Sequence, residues 1–142
     1  MLRIDFKLYN KEIESQYITE CGLMLLSLIE GDLKIYNNET LFFDEPYVNL
    51  LELSVQLYRW IHNNIKNNFV YDCMDNEEPI LIFTKTNNKY WLIDSIWKKG
   101  DTFSIENRML YNKIKNYIKT LDKQLKRQYG IKTLDLIKKN IH

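Results

Sequence analysis

Apolar and polar positions alternate from the start of the chain. Leu2, Ile4, Phe6 and Leu8 are separated by Arg3, Asp5 and Lys7. A period of two puts the apolar set on one face, which predicts a half-buried strand. Residues 10–20 are polar and weakly patterned, as in a loop or a short helix. Gly22 to Ile29 is an apolar run and predicts a more central strand. Glu30-Gly31-Asp32 reads as a turn, because glycine tolerates positive φ. Leu33 and Ile35 continue the sheet, as do Leu41 to Phe43 beyond a break at Asn37-Asn38.

The period then changes. Asp44 is placed to cap a helix, with Pro46 in its first turn, where a missing N–H costs nothing. Leu50, Leu53, Leu57 and Ile61 recur at spacings of three and four, opposite Asn49, Glu52, Gln56, Arg59 and Asn63. That stripe predicts an amphipathic helix to about Asn63, weakened beyond by Asn64 and by Asn67-Asn68. Burying its four aliphatic side chains contributes roughly 1.5–3 kcal/mol each before entropy is counted.

Phe69 to Cys73 predicts a short strand. Ile80 to Thr86 and Lys89 to Trp97 predict a hairpin across Asn87-Asn88, since asparagine accepts the left-handed turn conformation. After a turn at Lys99-Gly100-Asp101, Ser104 reads as the cap of a long helix to about Gln128. Its apolar stripe is Leu110, Ile114, Tyr117, Ile118, Leu121 and Leu125, and Gly130 ends it. Leu134 to Ile141 predicts a short terminal helix. The expected fold is a single α+β domain over residues 1–142. A mostly antiparallel sheet of about five to seven strands packs with an amphipathic central helix and a long C-terminal helix.

Composition adds limits. The 142 residues suffice for one domain with a real core. There are 16 Lys, 4 Arg, 15 Asn and no Ala, a bias that fits an AT-rich genome. The net charge of +1 supplies no global field for steering onto nucleic acid or membrane. The charge is unevenly spread: residues 1–100 hold 10 basic and 15 acidic side chains (net −5), and residues 101–142 hold 10 and 4 (net +6). Cys21 and Cys73 lack framework spacing and suit a reducing cytoplasm. The first residues contain no apolar core of a signal peptide, and Leu23 to Ile29 is too short to span a bilayer. A cytoplasmic protein is expected, with no membrane association.

The chemistry on offer is sparse. His62 and His142 are the only histidines, and no metal-ligand spacing occurs. Asp72, Asp75, Glu77 and Glu78 would bind Mg²⁺ only if they converged, and a solvated acidic loop is the simpler reading. Cys73 and His62 formally allow a nucleophile pair. However, Cys73 is in phase with Phe69 and Tyr71 on an apolar strand face. The four isolated glycines build no phosphate loop. The chain is therefore expected to be non-enzymatic, without metal or cofactor. Lys113, Lys115, Lys119, Lys123, Lys126, Arg127 and Lys132 surround the last long helix, so a nucleic-acid-binding or regulatory module is the alternative function. Scarce arginine argues against base readout, and a solvated lysine face is the simpler reading. Acidic residues at Asp44-Glu45 and Asp72 to Glu78 lie near Tyr47, Tyr71, Tyr90, Trp91 and Trp97 in sequence. Carboxylates beside aromatic anchors suit an interface with a basic protein.

Residues 28–97 carry a resemblance. Ile29-Glu-Gly-Asp-Leu-Lys-Ile35 is followed by Phe42-Phe-Asp-Glu-Pro46, then by Leu50-Leu-Glu-Leu53 in a helix ending Arg59-Trp60. Asp75-Asn-Glu-Glu-Pro-Ile-Leu-Ile-Phe83 and a hairpin ending Ser95-Ile-Trp97 complete it. This half of the chain resembles small bacterial immunity proteins of contact-dependent and polymorphic toxin systems. The resemblance implies an inhibitor that binds a cognate toxin and occludes its active or substrate-binding surface. Many such toxins are basic nucleases, whose phosphate ligand an acidic face would mimic. On that reading, charge clustering nominates Asp44, Glu45, Asp72, Asp75, Glu77 and Glu78 as partner contacts, with Tyr71 and Trp97 as anchors.

Overall fold

The computed structural model describes every residue except Asn64, Met74, Asp75, Ile141 and His142, and omits the side chains of residues 138–140. Among the described residues the α+β class holds, but the strands form two antiparallel sheets instead of one. Strands β1 (Leu2–Leu8), β2 (Glu30–Asn37) and β3 (Thr40–Asn49) make the first, in the order β1-β2-β3. Strands β4 (Phe69–Val70), β5 (Ile82–Lys85), β6 (Tyr90–Asp94) and β7 (Phe103–Glu106) make the second, in sequence order.

The division follows from helix α3 (Leu50–Asn63), which runs between β3 and β4. Leu50, Leu51, Glu52, Leu53, Ser54, Val55, Leu57 and Trp60 are all buried. A helix buried on most of its circumference needs cover on several sides. A small void of about 20 Å³ shows what supplies it. Leu2, Ile4, Leu33 and Ile35 of the first sheet meet Leu53 and Leu57 of α3 there. Phe83 and Ile93 of the second sheet, and Leu110, Ile114 and Tyr117 of the long helix α4 (Asn107–Tyr129), close it. One buried cluster draws on both sheets.

Several local expectations are corrected. The apolar run at 22–29 is not a strand. It holds helix α2 (Met24–Leu28), after α1 (Ser15–Glu20) and a left-handed Cys21. Leu25 and Leu26 are buried while Leu23 and Met24 are exposed. A short apolar run has no period that separates the two choices. Glu30-Gly31-Asp32 is not a turn but part of β2, with Gly31 paired to both Leu8 and Val48. Glycine is required there for space: an added Cβ would overlap the Lys7 carbonyl oxygen and lie 2.6 Å from Leu50 Cδ1.

Asp44 caps no helix. β3 continues through Asp44-Glu45-Pro46 to Asn49, and α3 begins only at Leu50, whose N–H donates to the Ile29 carbonyl at 3.0 Å. Between the pairs Leu33↔Glu45 and Gly31↔Val48, Pro46 and Tyr47 oppose the single Asp32, a β-bulge with Tyr47 at φ 56°. β3 is an edge strand, where proline forfeits no ladder bond. Asn49 and Glu52, expected on the polar face, are buried.

β4 is shorter than expected, although the Tyr71 N–H still donates to the Leu81 carbonyl at 2.9 Å. The β5–β6 hairpin forms, with Lys85 opposite Trp91. Neither Asn87 nor Asn88 has positive φ. Instead Asn87 Oδ1 accepts the N–H groups of Lys89 (2.8 Å) and Tyr90 (3.1 Å), a side-chain turn. Ser104 lies within β7, so the cap of α4 is Glu106, whose carboxylate accepts from the Arg108 and Met109 N–H groups at 3.1 and 3.2 Å. Gly130, at φ 73°, ends α4 as expected. Helix α5 is Thr133–Asn140. The expected end at Ile141 and the helix-weakening Asn64 lie outside the described residues.

Gly31→Ala is expected to destabilise the protein by about 2 kcal/mol or more, since backbone and Leu50 must both move. Gly22→Ala, with nothing within 4 Å of its added Cβ, is expected to be near neutral. Urea denaturation of the two variants checks the contrast.

Candidate functional site

The open side of β3 organises the surface that carries most of the nominated residues. Near its start, the Lys99 N–H donates to the Phe42 carbonyl at 2.7 Å, seating the loop after β6 against the strand. At its end, the Tyr71 hydroxyl donates to the Asn49 carbonyl at 3.3 Å, and Asn49 Nδ2 lies 3.8 Å from Cys73 Sγ. The two flanking segments are joined to each other: Ser95 Oγ donates to the Ile80 carbonyl at 2.5 Å and accepts the Trp97 N–H at 3.0 Å. The surface around β3 is therefore built from segments bonded to that strand or to one another.

Within it, Asp44 and Glu45 are half-buried, and Asp44 pairs in register with Lys34. Asp72, Glu77 and Glu78 are exposed. Asn76 shapes the acidic turn, its N–H donating to the Cys73 carbonyl (3.2 Å) and its Nδ2 to the Glu78 carbonyl (2.8 Å). Asp75 lies outside the described residues. Trp97 is 39% exposed. Tyr71 is a correction: at 1% exposure it cannot reach a partner. Its single O–H is shared between the Asn49 carbonyl and Glu52, the nearer acceptor at 2.8 Å, and Glu52 is itself 3% exposed. Burial first, then the Glu52 and Cys73 charges, push the phenol far above its ordinary value.

Three contributors are not among the nominated contacts, although the sequence reading names Tyr47 with the aromatics near the acidic residues. Tyr47 is 70% exposed on the bulge, its N–H donating to the Tyr9 hydroxyl at 3.1 Å and its ring edge-on to Tyr9. Ile96 is 46% exposed beside Trp97. Asp94 holds the loop that bears both: Ser95 N–H (2.8 Å), Thr102 Oγ1 (2.9 Å) and Lys98 Nζ (3.1 Å) all donate to its Oδ1. Burial pulls the Asp94 carboxyl upward, but these donors outweigh it and leave the group below its ordinary value. An Asp followed by Ser, Lys and Thr within eight residues was the available signal.

The other candidates separate. Cys73 is buried, while His62 is exposed at the end of α3 against Tyr58, ring centroids 4.2 Å apart. Lys115, Lys119, Lys123, Lys126 and Arg127 are exposed along α4, opposite the buried stripe Leu110, Ile114, Tyr117, Leu121 and Leu125. Among the described residues, no group of three His, Cys, Asp or Glu converges as a metal site. Nor is any described helix long and apolar enough to cross a membrane.

The fold is that of an α+β domain that exposes acidic and aromatic side chains beside β3 and a lysine-rich face on α4. Residues 4–127 match the model of a family described as a domain of unknown function, DUF7878, and the chain belongs to that family. No curated protein and no solved structure matches the chain.

Two buried phenols set an alkaline limit. Tyr117, fully desolvated, donates to the Leu50 carbonyl at 2.6 Å, and burial raises its pKa as it does that of Tyr71. A raised folded-state pKa contributes stability that is complete below the ordinary phenol value, about 10, and is lost as pH rises above it. Two such groups steepen the loss to about 2.7 kcal/mol per pH unit above that value. Tyr117→Phe is expected to halve the slope in urea titrations between roughly pH 9.5 and 11.5.

Proposed function

We propose that the protein is a non-enzymatic protein-binding inhibitor of the immunity type, acting in the cytoplasm on a cognate bacterial toxin and occluding its active or substrate-binding surface. The observation that supports this reading is the exposure of Tyr47, Ile96 and Trp97, together with that of Asp72, Glu77 and Glu78. Aromatic and aliphatic side chains left in water suit an interface core, and exposed carboxylates suit its rim. The Asp94 bonds hold the Trp97 loop in place before binding, which lowers the ordering cost of association. The carboxylates select a basic partner and speed its encounter, as a basic nuclease domain requires. Partner contacts on this reading are Asp44, Glu45, Asp72, Glu77, Glu78 and Trp97, with Tyr47 and Ile96 added.

The test begins with the tagged protein as bait in a lysate of its own organism. One stoichiometric protein is expected, toxic when expressed alone and neutralised by co-expression. Trp97→Ala is expected to weaken that complex by roughly 10- to 100-fold, as a central aromatic anchor does. Glu77→Lys with Glu78→Lys is expected to slow association and flatten its salt dependence. Unchanged affinity in both folded variants would remove the acidic-aromatic surface from the interface. Recovery of nucleic acid alone, released by high salt, would transfer the function to the lysine face of α4.

A further inference from the structure

The first sheet has a second edge. β1 ends the order β1-β2-β3 on the side opposite β3, and it carries neither the proline nor the bulge found there. Two bonds fix which of its backbone groups face outward. The Tyr9 N–H donates to the Glu30 carbonyl at 3.0 Å, and the Asn38 N–H donates to the Met1 carbonyl at 2.7 Å. The register between them is unbroken. Odd-numbered residues therefore turn their backbone groups toward β2, and Leu2, Ile4, Phe6 and Leu8 turn theirs away from it. Among the described residues no other strand pairs with those groups, and no loop or helix backbone bonds them.

There is room at this edge for another strand. A cavity of about 360 Å³ lies between β1 and α4, with Asn116, Thr120 and Gln124 on the helix side. Its β1 wall is the consecutive set Arg3, Ile4, Asp5 and Phe6. Side chains along a strand alternate between its faces, so a cavity lined by four in succession opens on the strand's edge. Ile4 and Phe6 are only half-buried although apolar, and the Phe6 ring packs edge-on to Tyr117 at 5.3 Å. Arg3, Asp5 and Lys7 are exposed on the other face.

Charge identifies the occupant. Plus, minus and plus at alternate positions can be matched by the same sequence run antiparallel. A pairing centred on Asp5 sets Asp5 against the partner's Asp5 and Arg3 against the partner's Lys7, which is unfavourable. A pairing centred on Ile4 sets Arg3 against the partner's Asp5, twice over. These are the positions without hydrogen bonds, where facing side chains lie closest. Ile4 then exchanges backbone bonds with the partner's Ile4, and Leu2 with the partner's Phe6. Arg3 already bonds Asp5 of its own strand at 3.0 Å, so the two pairs merge into a cluster of four alternating charges. A pairing centred on Phe6 also matches charges, but it runs into Asn10 and Lys11. There the Gln128 amide donates to Asn10 Oδ1 at 2.9 Å and the Tyr129 hydroxyl to the Lys11 carbonyl at 2.6 Å.

We propose that a second copy of the chain adds at β1, antiparallel about a twofold axis at Ile4, and joins the two three-stranded sheets into one. This pairing is independent of the toxin-binding reading, because β1 and β3 are opposite edges of the sheet.

Sedimentation of the full chain over a concentration series tests it, with hydrogen exchange followed amide by amide at the same concentrations. A monomer–dimer equilibrium is expected. Protection that grows with concentration is expected at the Ile4 and Phe6 amides, with smaller change at Asp5 and Lys7, which already face β2. Arg3→Asp is expected to weaken the dimer roughly tenfold or more, and Arg3→Asp with Asp5→Arg to restore it. Lys7→Asp is expected to leave it intact. A monomer at every concentration overturns the proposal. So does a dimer that Arg3→Asp leaves unweakened, or one whose added protection lies outside β1. If Arg3→Asp does not fold, the wild-type exchange pattern decides alone.

Discussion

The burial of α3 is the constraint on which the rest of the fold depends. A helix covered on most sides must have its polar groups answered by the elements that cover it. At its first turn, Leu50 donates its N–H to Ile29, just before β2, and accepts from the Tyr117 hydroxyl of α4. Two residues on, Glu52 accepts from Tyr71, beside the second sheet. Three bonds at one end of α3 thus reach the first sheet, the long helix and the second sheet. The aromatic cluster of Trp60 with Phe69, Phe83, Trp91 and Tyr111 performs the same joining further along α3.

This arrangement accounts for the position of the exposed site. With α3 entering directly from β3, the strand's last residues are drawn inward, and Asn49 and Leu50 are buried. The bulge at Pro46-Tyr47 absorbs the change in direction and turns Tyr47 outward. The remaining edge of β3 is blunted by the Lys99 contact and by proline instead of being left as a free pairing template. The surface that results is a managed edge, with its aromatics on loops fixed by side-chain bonds.

Much of this was legible in the chain. Period-two alternation located β1, and i, i+3, i+4 spacing located α3 and α4, because each signal extended over enough residues to be unambiguous. Failures occurred where one local signal serves two structures. Asp-Glu-Pro opens helices and also marks blunted edge strands, so Asp44 was taken for a cap. Gly31 was assigned to a turn because the sequence does not show that Lys7 and Leu50 approach it from both sides. Glu52 reads as a surface residue by charge and phase, and Tyr71 reads as a partner anchor although its phase puts it on the apolar face with Phe69 and Cys73. Only the tertiary pairing of one with the other makes their burial tolerable, and neither position reveals it alone. The exposure of Asp72, Glu77 and Glu78, in contrast, is readable because local composition alone keeps such carboxylates in water.

The same physics separates the polar groups that belong to the fold from those left for something else. Glu52, Tyr71 and Cys73 are titratable side chains closed off from solvent and engaged with one another and Asn49. That set is spent on joining α3 to the second sheet. Asp94 is likewise engaged, by three donors, in holding a loop. Among the groups not engaged in this way are exposed Trp97 and Ile96 and the shielded Arg59 nitrogen. A side chain that is exposed though apolar, or shielded though charged, is placed against its own solvation preference. Both kinds lie at the margins of elements that pack on α3.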